Sequence, residues 1–163
     1  MGRWRPPSPA SSPYITSAGY QRLETELNGL WERRREVTRA LAAAAAEGDR
    51  SENAEYIYRK KELREIDRRI RYLHTRMPKL KIVSEVGNTG RIYFSAIITL
   101  ENEAGVETTY RIVGADEIDA GKNYISVDSP MSKALLGKTL DDVVMVKTGG
   151  EVKQFIVTVI EYE

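Results

Sequence analysis

The chain has 163 residues, with 25 basic and 24 acidic side chains and a formal net charge of +1, a balance that excludes a general nucleic-acid coat while leaving local charged stripes open. It has no cysteine and a single histidine, His74, which excludes a disulfide framework, a thiolate nucleophile or metal site, and a histidine-based metal cluster. No apolar run approaches the roughly 20 residues of a membrane span and the N-terminus lacks the apolar core of a signal peptide, so a soluble cytoplasmic protein with no membrane partner is expected.

Residues 1–13 are rich in Pro and Ser and carry Arg3 and Arg5. Such a stretch buries too little to fold, and a disordered extension is expected. A helix is predicted from Thr16 or Ser17, both good N-caps. Its apolar positions, Tyr20, Leu23, Leu27, Leu30, Val37, Leu41 and Ala44, step by three and four, with Arg34 in the skipped slot. That is a heptad seam. It runs into Ala42 to Ala46, a strongly helix-forming stretch that adds almost no girth. A second helix is predicted from about Ser51 to Arg76 or Met77, with a seam of Tyr56, Leu63, Ile66, Ile70, Leu73 and Met77 and with Arg59 filling one slot. Pro78 ends or kinks it. Two heptad helices joined by a few residues pack antiparallel as a coiled-coil hairpin, about 40 Å long at 1.5 Å per residue.

After Pro78 the period changes to two. Ile92 to Leu100 and Val106 to Ile112 read as strands across a turn at Asn102 to Gly105, and Tyr124 to Val127 is short and strand-like. Ser129 caps a short predicted helix with Pro130 as its first residue and Gly137 as its stop. Val143 to Lys147 and Val152 to Tyr162 pair across Thr148-Gly149-Gly150. The expected fold is α+β in two domains: an antiparallel coiled-coil hairpin over 14–80 and a small antiparallel sheet with one short helix over 81–163.

The hairpin turns at Gly48-Asp49-Arg50-Ser51-Glu52-Asn53. Asp49 and Glu52 admit two readings. Asp-x-x-Glu before a helix is a capping box, favoured also by the helix dipole. Yet the pair sits at the far end of the hairpin, where it can support no core. Two carboxylates supply only part of the oxygen shell of Mg²⁺, so the second reading is half a metal site, completed by a partner and able to orient an attacking water.

Lys61, Arg64, Arg68 and Arg71 step by three, four and three outside the seam, flanked by Lys60, Arg69 and Arg76, with Arg33, Arg34, Arg35 and Arg39 on the first helix. They form either a solvated face laced with Glu62, Glu65 and Asp67 or a phosphate-facing stripe without base specificity.

The tip string Gly48 to Tyr56, the string Arg64-Glu65-Ile66-Asp67-Arg68-Arg69-Ile70-Arg71-Tyr72-Leu73, and Tyr110 to Gly114, Asp116 to Ile118, Tyr124 to Met131 and Ala134 to Gly137 resemble bacterial transcript-cleavage factors of the Gre type, most like its GreB form. The resemblance spans about Tyr14 to Tyr162. It implies a monomeric elongation factor whose hairpin enters the secondary channel of RNA polymerase and stimulates cleavage of backtracked nascent RNA. The polymerase does the chemistry and the chain is not itself an enzyme. Asp49 and Glu52 would share the catalytic Mg²⁺ of the polymerase. Arg50, Lys60, Lys61, Arg64, Arg68 and Arg71 would face the nascent RNA 3′ end. The second domain would resemble FK506-binding proteins, with Asp128, Ser129, Pro130 and Met131 docking on the channel rim. A helix N-cap explains the same four residues. The 1–13 extension and the uniform Ala42 to Ala46 run depart from the family pattern. Rival expectations are an inhibitory relative that plugs the channel without cleavage, a prolyl isomerase, which needs an aromatic-lined pocket, and a bare coiled-coil scaffold, which needs no acidic tip.

Overall fold

The structure, a computed structural model, describes residues 10–48, 53–84 and 90–163. The chain forms two units, one of Ala18–Leu80 and one that joins the segment up to Ser17 to Lys81–Glu163.

The helical unit holds α1 (Ser17–Ala46) and α2 (Ala54–Arg76). Val37, Ile66 and Ile70 are buried together, with Leu27, Leu30 and Leu63 packed around them. Each such burial stabilises by roughly 2 kcal/mol. Polar contacts fix the direction of packing. Advancing along α1, Glu26, Arg33 and Ala44 meet Arg69, Glu62 and Asn53 in turn, so α2 runs the opposite way. The two arginines standing in seam slots are explained by partners: Arg34 pairs with Asp67 at 2.7 Å and Arg59 with Glu55 at 2.8 Å. His74 meets the edge of Trp31 across the pair. After α2 a single 3-10 turn, Met77–Lys79, absorbs Pro78 near its start, where a missing N–H costs nothing. No helix among the described residues is long and apolar enough to cross a membrane.

The second unit is built on a five-stranded sheet, ordered β5-β4-β3-β7-β6. Its strands are β3 (Ile97–Asn102), β4 (Glu107–Val113), β5 (Tyr124–Ser126), β6 (Val143–Thr148) and β7 (Glu151–Glu161). The short helix α3 (Pro130–Leu135) is capped by Ser129, whose side chain accepts from the Ser132 N–H. Ile98, Leu100, Ile112, Val144, Val146 and Val157 alternate into one core, closed by Leu135 of α3.

Several expectations are corrected. The sheet is mixed, because β5 lies parallel to β4; residues 114–123 carry the chain back before it re-enters, as a parallel pair requires. The strand expected from Ile92 begins at Ile97. Ile92 and Ala96 are fully buried and so mimic strand alternation, but Ser95 at φ +72° breaks the extended backbone. Nor is the whole 1–13 stretch loose. Pro13 accepts a bond from the Lys81 N–H at 2.8 Å, and Ser12 is bonded to Asp128. Residues 1–9 lie outside the described residues. Beyond Pro13, β1 (Tyr14–Ile15) pairs in parallel with β2 (Lys81–Ile82), giving Tyr14 to Ser17 to the sheet unit. This pairing is close-fitting: a Cβ on Gly114 would run into the carbonyl oxygen of Tyr14. Next to it the buried carboxylate of Glu117 accepts from the N–H groups of Thr16 (3.0 Å) and Gly114 (2.8 Å) and from the Thr16 hydroxyl.

Candidate functional site

The end of α1 and the start of α2 are joined by one side chain. Asn53 caps α2: its Oδ1 accepts from the Tyr56 N–H at 3.1 Å, satisfying an orphan donor of the first turn. Its Nδ2 donates to the carbonyl of Ala44 at 2.8 Å, satisfying an orphan acceptor in the last turn of α1. Gly48, at φ +124°, takes the backbone out of α1 in a conformation that side chains disfavour. Asp49, Arg50, Ser51 and Glu52, between these two anchors, lie outside the described residues. The start of α2 nevertheless bears on the capping-box reading. The helix begins at Ala54, later than the expected Ser51, and Asn53 is its cap. The N-cap of α2, which one of the two readings gave to Asp49 and Glu52, is therefore Asn53. The second bond of Asn53, to a carbonyl nine positions upstream, has no periodic signal in the sequence.

Two groups of cations in the hairpin differ in their partners. Arg33, Arg34, Arg59 and Arg69 are consumed by Glu26, Glu36, Glu55, Glu62 and Asp67. The hydrogen bonds that they donate to Glu62 and Glu55, respectively, hold the Arg33 and Arg59 guanidinium groups above their ordinary pKa. At Glu62 burial pushes the carboxyl up, but hydrogen bonds from Arg33 and Arg59 outweigh it and hold the group below the usual carboxylate range. Lys60, Lys61, Arg64, Arg68 and Arg71 form the other group. All five are exposed, and among the described residues none of them makes an ion pair. Glu62 and Asp67, expected to lace this face, are turned to the arginines of the first group instead. At 100° per residue Lys61, Arg64, Arg68 and Arg71 lie within about 80° of arc, opposite the Ile66, Ile70 and Leu73 seam.

The same outward side carries apolar and aromatic groups that sequence reasoning missed. Ile57, Tyr58 and Tyr72 are 52%, 59% and 43% exposed. Arg59 stands over the ring of Tyr58 at 5.5 Å, and Arg69 over that of Tyr72 at 5.2 Å. The available signal was their position: both tyrosines fall off the heptad seam.

In the sheet unit, Asp128, Ser129, Pro130 and Met131 are contiguous but differently employed. Ser129 caps α3 and Met131 packs against the core. Asp128 is bonded to Ser12, and Pro130 is exposed.

Comparison with known proteins agrees with both units. Family models described as "Transcription elongation factor, N-terminal" and "Transcription elongation factor, GreA/GreB, C-term" match residues 13–82 and 87–162. The chain is 53% identical to transcription elongation factor GreB of Pseudomonas aeruginosa, over 99% of this chain and 98% of that one. It is 55% identical to GreB of Xanthomonas axonopodis pv. citri, over 87% and 86% of the two chains. Among solved structures, Gfh1 of Thermus aquaticus aligns at 31% identity over 93% of this chain and 99% of that one, with a TM-score of 0.43. The chain belongs to the GreA/GreB family of transcription elongation factors and is similar to its GreB members.

Proposed function

We propose that this protein binds bacterial RNA polymerase through its secondary channel and stimulates endonucleolytic cleavage of backtracked nascent RNA, so that arrested complexes resume. It supplies groups to the polymerase and performs no hydrolysis alone. The observation that supports this reading is that Asn53, and neither tip carboxylate, is the N-cap of α2 and ties it to the end of α1. Asp49 and Glu52 are hard oxygen donors, of the type Mg²⁺ takes, and too few to complete its shell. When bound, the ion stabilises charge on phosphate oxygens and lowers the pKa of its water. The carboxylates would hold their side of that ion and would orient the attacking water by accepting its hydrogen bonds. The exposed stripe, with Arg50 ahead of it, carries the RNA 3′ segment by its phosphates.

The sheet unit docks at the channel rim through Asp128 to Met131, on a fold we liken to FK506-binding proteins. Its mixed sheet with one short helix supports that likeness. Isomerase activity is not favoured, since Phe94 and Phe155, the rings available for a pocket, pack onto the core.

The test is cleavage by purified, stalled polymerase. Asp49→Ala with Glu52→Ala should abolish the stimulation and leave polymerase binding intact. A doubly substituted chain that still stimulates cleavage refutes the role of the pair. A wild-type chain that binds and blocks without cleaving establishes the inhibitory alternative.

A further inference from the structure

The first turns of α2 after the Asn53 cap carry two large apolar side chains that no core takes up. Ile57 and Tyr58 are each more than half exposed. They stand at the end of the basic stripe nearest the cap. Residues three and four apart are neighbours on a helix surface. Lys61 lies three positions after Tyr58 and four after Ile57, so the stripe begins one turn beyond both. At 100° per residue Ile57 falls inside the arc of Lys61, Arg64, Arg68 and Arg71, and Tyr58 lies about 60° from Lys61. Toward the cap, the line of cations therefore ends in an aliphatic and an aromatic group.

Tyr58 is braced. The Arg59 guanidinium stands over its ring, 5.5 Å from the centroid. Arg59 is itself held by Glu55 at 2.8 Å and by Glu62 at 3.1 Å, so it leaves the ring only by breaking two ion pairs. A fixed cation over a ring favours one ring orientation. The side chain is still 59% exposed, so a flat ligand can reach it. An exposed ring that ends a row of cations suits a single nucleic-acid strand: the cations track the backbone, and the ring takes an unstacked base.

We propose that Tyr58 is an RNA-binding residue: its ring stacks on one unpaired base of the backtracked 3′ segment while the stripe holds the neighbouring phosphates. This rests on the reading of the stripe as the RNA path. The two parts act differently. The cations hold any strand by its charge, and their contribution falls with salt. The ring holds the face of a base, and every base has one. A stacked base occupies one place, so the ring sets the register of a strand that the cations alone would let slide.

The test measures the factor concentration giving half-maximal cleavage of long backtracked complexes, against salt and with melting temperature in parallel. The variants are Tyr58→Ala, Tyr58→Phe, Tyr58→Leu and the triple change of Lys61, Arg64 and Arg68 to Gln. The RNA tails are intact or carry one abasic nucleotide, placed at each tail position in turn. Tyr58→Ala should raise the half-maximal concentration about tenfold, with the salt slope and melting temperature unchanged. Tyr58→Phe keeps the ring and should match wild type. Tyr58→Leu keeps only apolar bulk and should behave like Tyr58→Ala. One abasic position should cost the wild-type chain the same tenfold and cost Tyr58→Ala nothing, since the stacked pair is already lost. A triple variant with the wild-type salt slope removes the stripe reading and this proposal with it. If the triple variant loses slope while Tyr58→Ala matches wild type, the stripe stands and the stacking role is overturned. Tyr58→Leu matching wild type overturns it as well, as do losses that add to Tyr58→Ala at every abasic position.

Discussion

Changing Lys61, Arg64 and Arg68 together to Gln removes three exposed cations that, among the described residues, take no part in the ion pairs of the hairpin. Surface changes of this kind alter stability by only about 0.5 kcal/mol, so the fold should be untouched. The effect on RNA is larger. Each phosphate contact on a single strand contributes about 0.7 to the slope of log affinity against log salt, so three contacts amount to about 2 in slope, or roughly twentyfold over a fourfold change in salt. Length matters too. From Lys61 to Arg71 the helix rises about 15 Å, a length that a single strand spans only with more than one nucleotide. RNA backtracked by one or two nucleotides cannot lie along the stripe, whereas a longer tail can. The assay is the factor concentration giving half-maximal cleavage, measured against salt for short and long backtracked complexes. The triple variant should lose most of the salt dependence for long tails and little for short ones. Equal slopes for wild type and variant on long tails would mean that the stripe is only a solvated face.

Asn53→Ala should lower the stability of the helical unit by about 1–2 kcal/mol through loss of the N-cap, read by thermal melting. Asn53→Asp keeps the acceptor for Tyr56 and loses the donor to Ala44, so its cost should be smaller; a cost equal to that of Ala would show that the Ala44 bond, not the cap, matters. Glu62 gives the hairpin a pH dependence of defined sign. Its folded pKa is depressed, so its contribution is present above the unfolded value of about 4.3 and is lost as pH falls through the folded value. The melting temperature of the hairpin should therefore fall on acidification below the unfolded value, and Glu62→Gln should flatten this part of the profile; an unchanged profile would remove Glu62 from the account.

What was legible in the sequence was whatever repeats. The two seams placed both helices because packing one apolar stripe against another demands steps of three and four, and even the intruding Arg34 and Arg59 did not disturb the period. Alternation likewise gave β4, β6 and β7. It failed at Ile92 and Ala96, since burial without a hydrogen-bonded ladder leaves the same apolar trace as a strand. The mixed direction of the sheet was not legible either, because side-chain period is the same for parallel and antiparallel strands. The candidate site follows the same division. The stripe could be read as a periodic line of cations, but not whether it was neutralised; that depended on Glu62 and Asp67 choosing arginines on the other face. Asn53 with Ala44, and Ser12 with Asp128, are single polar bonds between distant positions, and no window of neighbouring residues contains both ends. They tie down the ends of segments whose interiors the periodicity had already placed. Periodic burial therefore decides where the elements lie, whereas isolated hydrogen bonds decide which polar groups remain available to a partner. It is the second kind of information that gives the cap of α2 to Asn53.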